Sequence, residues 1–213
     1  MGMLSPHQIQ ETQMNSSQTH LIIDMETLGT KPNSVVLSMA CVPFNFNSNV
    51  DFESLVKSSF YVKFDTIEQI QHHKRKVDEN TVNWWKKQQS EEAKSVIRPS
   101  KNDVSLETGL RAFSKFVGST GYDFKNSFVW SRGIAFDGPL LESIYDNVDT
   151  INIPVNTWLY RDIRTYVDTL EGSIDGYGRF QDLGLTGVVK HNALHDVCCD
   201  VIRMKKIYDE LMS

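Results

Sequence analysis

The chain has 213 residues, 40% of them hydrophobic and 10% aromatic, enough apolar surface for a substantial core and too much for a disordered chain. Its 22 Lys and Arg stand against 27 Asp and Glu, a formal charge of -5, which argues against a protein that holds duplex nucleic acid by a basic surface alone. The three cysteines form no disulfide framework and no zinc-binding pair, which fits a reducing, cytoplasmic setting, and no apolar run approaches the roughly 18 residues of a membrane span.

Residues 1–18 are rich in Gln, Ser, Thr and Asn and read as a flexible tail before one domain over 19–213. The β-branched apolar run of His20–Glu26, HLIIDME, predicts a buried strand. A turn at Gly29, Pro32 and Asn33 leads to a second strand over Ser34–Val42, and Ser59–Phe64 predicts a third. Short polar connections make these an antiparallel meander. Helical spacing follows over Glu79–Gln89 and Ser105–Val117. Ser127–Trp130 predicts a fourth strand. After it Phe136-Asp137-Gly138-Pro139 opens a helix with Asp137 as N-cap. Trp158–Tyr160 reads as a short fifth strand, Asp162–Leu170 as a helix and Gly172–Gly187 as a loop over one face. The last helix, Asn192–Leu211, carries the apolar stripe Leu194, Val197, Val201, Met204, Tyr208 and Leu211. Strands first, then strands alternating with helices, predict an α/β fold with a mixed sheet flanked by helices.

Three acidic elements carry chemistry. Asp24 and Glu26 lie two apart on the first strand, so both carboxylates point to one face. Like charges at the end of a buried strand call for a neutralising partner, and hard divalent cations prefer carboxylate oxygen. Asp137 follows an apolar strand and stands either as a helix cap or as a third ligand. His191-Asn192-Ala193-Leu194-His195-Asp196, with Asp200 beyond, adds a histidine able to take a proton near neutrality and a further acid. Spacing leaves two registers open, His191 with Asp196 and His195 with Asp200.

The segments IIDMET, GIAFDGPLL and HNALHD together resemble the DEDDh branch of the proofreading-type 3′–5′ exonucleases, which have a ribonuclease H-like fold. TVNWWKKQ, SRGIAFD and RDIRT extend the likeness to the tailed-phage exonuclease A (DexA) group, across most of Thr19–Tyr208. Gly133 departs from the wider family, many of whose members carry Asn four residues before the second-motif Asp. The resemblance implies a five-stranded sheet and selects His191 and Asp196. It implies two Mg²⁺ or Mn²⁺ ions held by Asp24, Glu26, Asp137 and Asp196, with His191 as general base, and release of nucleoside 5′-monophosphates. Thr27 and Leu28 are then candidates to meet the terminal nucleotide through backbone and an apolar wedge, and Arg132, with Arg161 or Arg164, to reach phosphate. One of the adjacent Trp84 and Trp85, here taken as Trp85, is a candidate to stack on a base. The expected partner is single-stranded DNA, with RNA the runner-up. All five acid/base positions are present, which weighs against a non-catalytic binding module. The four candidate ligands account for most of the acid excess.

Overall fold

The computed structural model describes residues 18–88 and 91–213, so the expected N-terminal tail, apart from Gln18, lies outside the described residues. Its strands are β1 (His20–Thr27), β2 (Val36–Phe44), β3 (Phe60–Lys63), β4 (Val129–Ser131) and β5 (Tyr160–Asp162). They form one mixed sheet in the order β3-β2-β1-β4-β5. The first three make the expected antiparallel meander, and β4 and β5 join in parallel. The helices are α1 (Phe52–Ser58), α2 (Thr66–Gln71), α3 (Glu79–Lys86), α4 (Glu91–Ile97), α5 (Leu106–Ser119), α6 (Ile134–Asp146), α7 (Ile163–Glu171) and α8 (Ala193–Met212). None of these helices is long and apolar enough to cross a membrane.

β1 is the central strand and is covered on both faces. Leu21, Ile23 and Met25 pack with Leu110 and Phe113 of α5 and Leu141 and Ile144 of α6. Ile22 faces the opposite way, towards Val197, Val201 and Met204 of α8. Leu21, Ile22 and Ile23 are completely buried. Each such side chain contributes about 1.5–3 kcal/mol on burial. A smaller cluster of Leu37, Trp85 and Val96 ties α3 and α4 to β2, with Leu28 packed against it.

Three short helices differ from the sequence expectation. α1, α2 and α4 have 7, 6 and 7 residues, too few for a repeating apolar stripe, and the sequence reads there as connections. The Asp51 and Asp65 side chains cap α1 and α2, and these caps are the local signals for them. The expected helix over Glu79–Gln89 ends at Lys86, and Gln89 lies outside the described residues. The fifth strand begins two residues later than expected, because Asn156 caps a 3₁₀ turn over Thr157–Leu159. Asp137 is no N-cap: that position belongs to Gly133, with φ at 121°, a backbone angle that favours glycine.

One buried amide completes the edge of β2. β3 pairs with β2 only from Ser38 to Cys41. Beyond that point Gln69 of α2 takes over. Its Oε1 accepts from the Val36 N–H at 2.9 Å and its Nε2 donates to the Val36 carbonyl at 2.8 Å. Gln69→Ala would leave both Val36 groups buried and unpaired. We expect a loss of roughly 2–4 kcal/mol, read as a lower urea midpoint at unchanged slope. A loss within about 0.5 kcal/mol would show that the amide does not hold this edge.

Candidate active site

The site begins where β1 leaves the core. Period-two alternation puts Asp24 and Glu26 on the same face as Ile22, the face covered by α8, and Leu28 follows just past the strand. All three are partly buried. The pairing with β2 carries a bulge between Glu26 and Thr27, a feature that re-aims side chains at strand ends. The paired residues of β4 reach β1 only at Leu21 and Ile22. Past them the Met25 N–H is open to another acceptor, and the Asp137 carboxylate takes it.

Asp137 reaches β1 because of how the chain turns after β4. Arg132 and Gly133 reverse the backbone, and α6 starts at Ile134. Asp137 then lies in the first turn of α6, 3% exposed. The Ser131 hydroxyl donates to its Oδ2. The fourth acid comes from α8. Asn192 caps this helix, accepting from the Leu194 N–H at 3.1 Å, and Asp196 falls in its first turn. A ligand atom each from Glu26, His191 and Asp196 lie within 4.8 Å of one another.

The two histidines separate in space. His191 sits just before α8 with φ at 59° and lines a cavity of about 690 Å³ together with Asp24, Glu26 and Asp196. Its ring meets the Trp84 ring edge-on at 4.8 Å. His195 turns towards Phe52 of α1, and its Nδ1 accepts from the Val189 N–H at 2.9 Å. Asp200 borders the same cavity but is paired: Arg132 Nη2 donates to its Oδ1 at 2.7 Å, and Arg203 Nη1 donates to the same oxygen at 2.5 Å.

Four substrate-contact expectations need correction. Trp85 is 1% exposed, and its Nε1 donates to the Thr27 carbonyl at 2.9 Å, so it is core; Trp84, at 43%, is the exposed member of the pair. Two adjacent helical positions diverge, and the buried one follows the stripe that packs on β2. The Thr27 carbonyl, on the backbone expected to meet the nucleotide, instead accepts from Trp85, and its buried hydroxyl donates to the Gly29 carbonyl at 2.6 Å. Arg132 is held by Asp200 and by the Gly176 carbonyl. Arg161 stacks over Phe128 at 4.2 Å, towards the amino end of β1, while Arg164 one turn on lines the cavity. Leu28 is tied by backbone bonds to Val35 and Asp78, and its half-buried side chain packs against the cluster of Leu37, Trp85 and Val96. Sequence reading also missed the cavity wall of Leu183, Leu185, Val188 and Lys190. Its only signal is adjacency to His191, because a loop has no periodicity.

Burial dominates the electrostatics, and the acids add to one another. Desolvation lifts Asp24 well above the carboxylate range, with Glu26, Asp137, Asp196 and Asp200 adding to the rise. Burial and the neighbouring Asp196 and Asp137 push Glu26 up to about 8. Asp137 and Asp196 rise to about 7, each mainly through burial. His191 shifts the other way, lowered by burial and by Lys190. A carboxyl raised in the folded state contributes stability below its unfolded pKa and loses it as pH climbs through the folded value. In chelator, the melting temperature should therefore fall between about pH 5 and about pH 8 through these groups. Asp24→Asn should flatten the fall, and added divalent cation should reverse it at the upper end. A flat profile in chelator would contradict this account.

Comparison with known proteins follows the same lines. Residues 19–207 match the family described as the 3′–5′ exoribonuclease Rv2179c-like domain. The chain is 30% identical over 210 residues to the exodeoxyribonuclease of Enterobacteria phage T4, covering 86% of each. It superposes on cell-death related nuclease 4 with a TM-score of 0.63 at 12% identity, over 92% of this chain and 65% of that one. For the nuclease domain of 3′hExo, a DEDDh family member solved with rAMP, the TM-score is 0.56 at 12% identity, over 92% of both. The structural likeness carries the ribonuclease H-like fold expected from sequence. The chain thus belongs to the Rv2179c-like family of 3′–5′ exoribonuclease domains, and it is a 3′–5′ exonuclease.

Proposed function

We propose that the enzyme trims single-stranded DNA from the 3′ end and releases nucleoside 5′-monophosphates, with two divalent ions and His191 as general base. The observation that carries this reading is the convergence of Asp24, Glu26, Asp137 and Asp196 from three elements with no Lys or Arg ion-paired to any of them among the described residues. Asp200 is the contrast: where this chain buries an acid for structure, it supplies two arginines. The donor set is all hard oxygen, which suits Mg²⁺ or Mn²⁺. Bound there, such ions would neutralise the carboxylates and polarise phosphate oxygens.

The remaining chemistry belongs to the side chains. Asp137 is oriented by Ser131 and by the Met25 N–H, so its carboxylate is fixed before any ligand arrives. His191, lowered from its ordinary pKa, is neutral near pH 7 and can accept a proton. In the proposed step the His191 ring nitrogen takes one proton from the attacking water. The water oxygen joins phosphorus, the bond to the 3′ oxygen breaks, and that oxygen is protonated in turn. The apolar wall of Leu183, Leu185 and Val188 offers a face to the terminal base without a sequence reader.

The DNA preference rests on the phage exodeoxyribonuclease relative. RNA is the second reading, favoured by the description of the family itself. Side-by-side digestion of matched single-stranded DNA, duplex DNA and RNA separates them. Single-stranded DNA should be consumed fastest, and faster loss of RNA would reverse the assignment. Activity should require Mg²⁺ or Mn²⁺ and stop in EDTA; survival in EDTA would sink the metal reading. His191→Ala should lower turnover by ~10²–10⁴-fold. His195→Ala, which alters only a loop contact, should stay near wild type. If His195→Ala alone is inactive, the general base has been misassigned.

A further inference from the structure

The cavity wall contains one arginine with nothing to hold. Arg132 and Arg203 both bind Asp200, and both also donate to loop carbonyls, at Gly176 and Phe180. Arg161 faces Phe128 and its own carbonyl neighbour at Tyr160. Arg164, in the first turn of α7, lines the cavity with Asp24, Glu26 and Asp196, and makes no side-chain hydrogen bond among the described residues. Its charge is felt at Asp137, where it counters part of the lift from burial.

Arg164 is exposed, but its stem lies close against the loop at Gly176. A Cβ on Gly176 would stand 2.7 Å from Arg164 Cγ, so only glycine lets the loop close on it. Gly176 is itself fixed twice: its N–H donates to Asp168 Oδ1 at 2.9 Å and its carbonyl accepts from Arg132. Tyr177, next in the chain, lies between the Arg132 and Arg203 guanidiniums at 4.3 and 5.0 Å. The Asp200 network therefore holds the loop, and the loop places Gly176 beside the Arg164 stem. A guanidinium at a cavity wall with free donors can meet an oxyanion in two-point fashion.

We infer that Arg164 grips a backbone phosphate of the strand end that enters this cavity, with Gly176 setting its direction. The inference rests on the proposed reading of the cavity as the site of the 3′ end. The test uses full-length protein with His191→Ala to slow turnover, Mg²⁺, and a 5′-labelled single-stranded oligonucleotide. One 3′-terminal phosphate at a time is replaced by a neutral methylphosphonate. One position should weaken binding, and in Arg164→Ala that position alone should lose its effect. Arg164→Ala should weaken the unmodified strand about ten-fold and reduce the slope of log K against log salt by about 0.7. Arg164→Met keeps the stem against Gly176 and should behave like Arg164→Ala. Arg161→Ala should leave the pattern unchanged. Unchanged salt slope and methylphosphonate pattern in Arg164→Ala would overturn the inference, as would wild-type binding by Arg164→Met. If the parent enzyme, with His191 intact, fails to shorten 3′ ends at all, the proposed function falls instead.

Discussion

The structure turns on a repulsion. Asp24 and Glu26 lie at the end of the central strand of the sheet, and Asp137 and Asp196 are brought to the same place from α6 and α8. Burial raises all four, and Asp137 and Asp196 raise Asp24 and Glu26 further. A fold that only needed stability would not keep this arrangement. The hydrophobic packing of β1 against α5, α6 and α8 offsets its cost. That packing leaves the acids no room to relax away from one another.

The rest of the site reads as support for that cluster. The third acid is held by a hydroxyl and by a backbone donor on β1 that the short β4 leaves open. The fourth is set by the Asn192 cap, which fixes where α8 begins. Asp200 lies one turn further along α8 and shows the alternative treatment of a buried acid. Two arginines neutralise it, and the same arginines stack on Tyr177 and anchor the loop that walls the cavity. Two acids four residues apart on one helix thus do different work, one towards ligands and one towards loop architecture.

Much of this was legible in one dimension. The apolar run before Asp24 marks a buried strand, and alternation puts Asp24 and Glu26 on one face, because strand geometry is local. The meander and the stripe of the last helix follow for the same reason. The short helices were not legible, since six or seven residues give too little periodicity to read. Nor was the choice between Trp84 and Trp85. Adjacent helical residues point in different directions, and only the position of β2 decides which one is inside.

The sequence by itself determined the acids, their facing on β1 and the likeness to an exonuclease family. Those depend on residue type and on spacing along the chain. Tertiary structure alone decided which arginine is free. Arg132, Arg161, Arg164 and Arg203 are chemically identical, and their roles differ only by what the fold puts beside them: Asp200, Phe128, Gly176 and Asp200 again. It likewise separated His191 from His195, because the cap at Asn192 sends one ring into the cavity and the next turn of the helix sends the other towards α1.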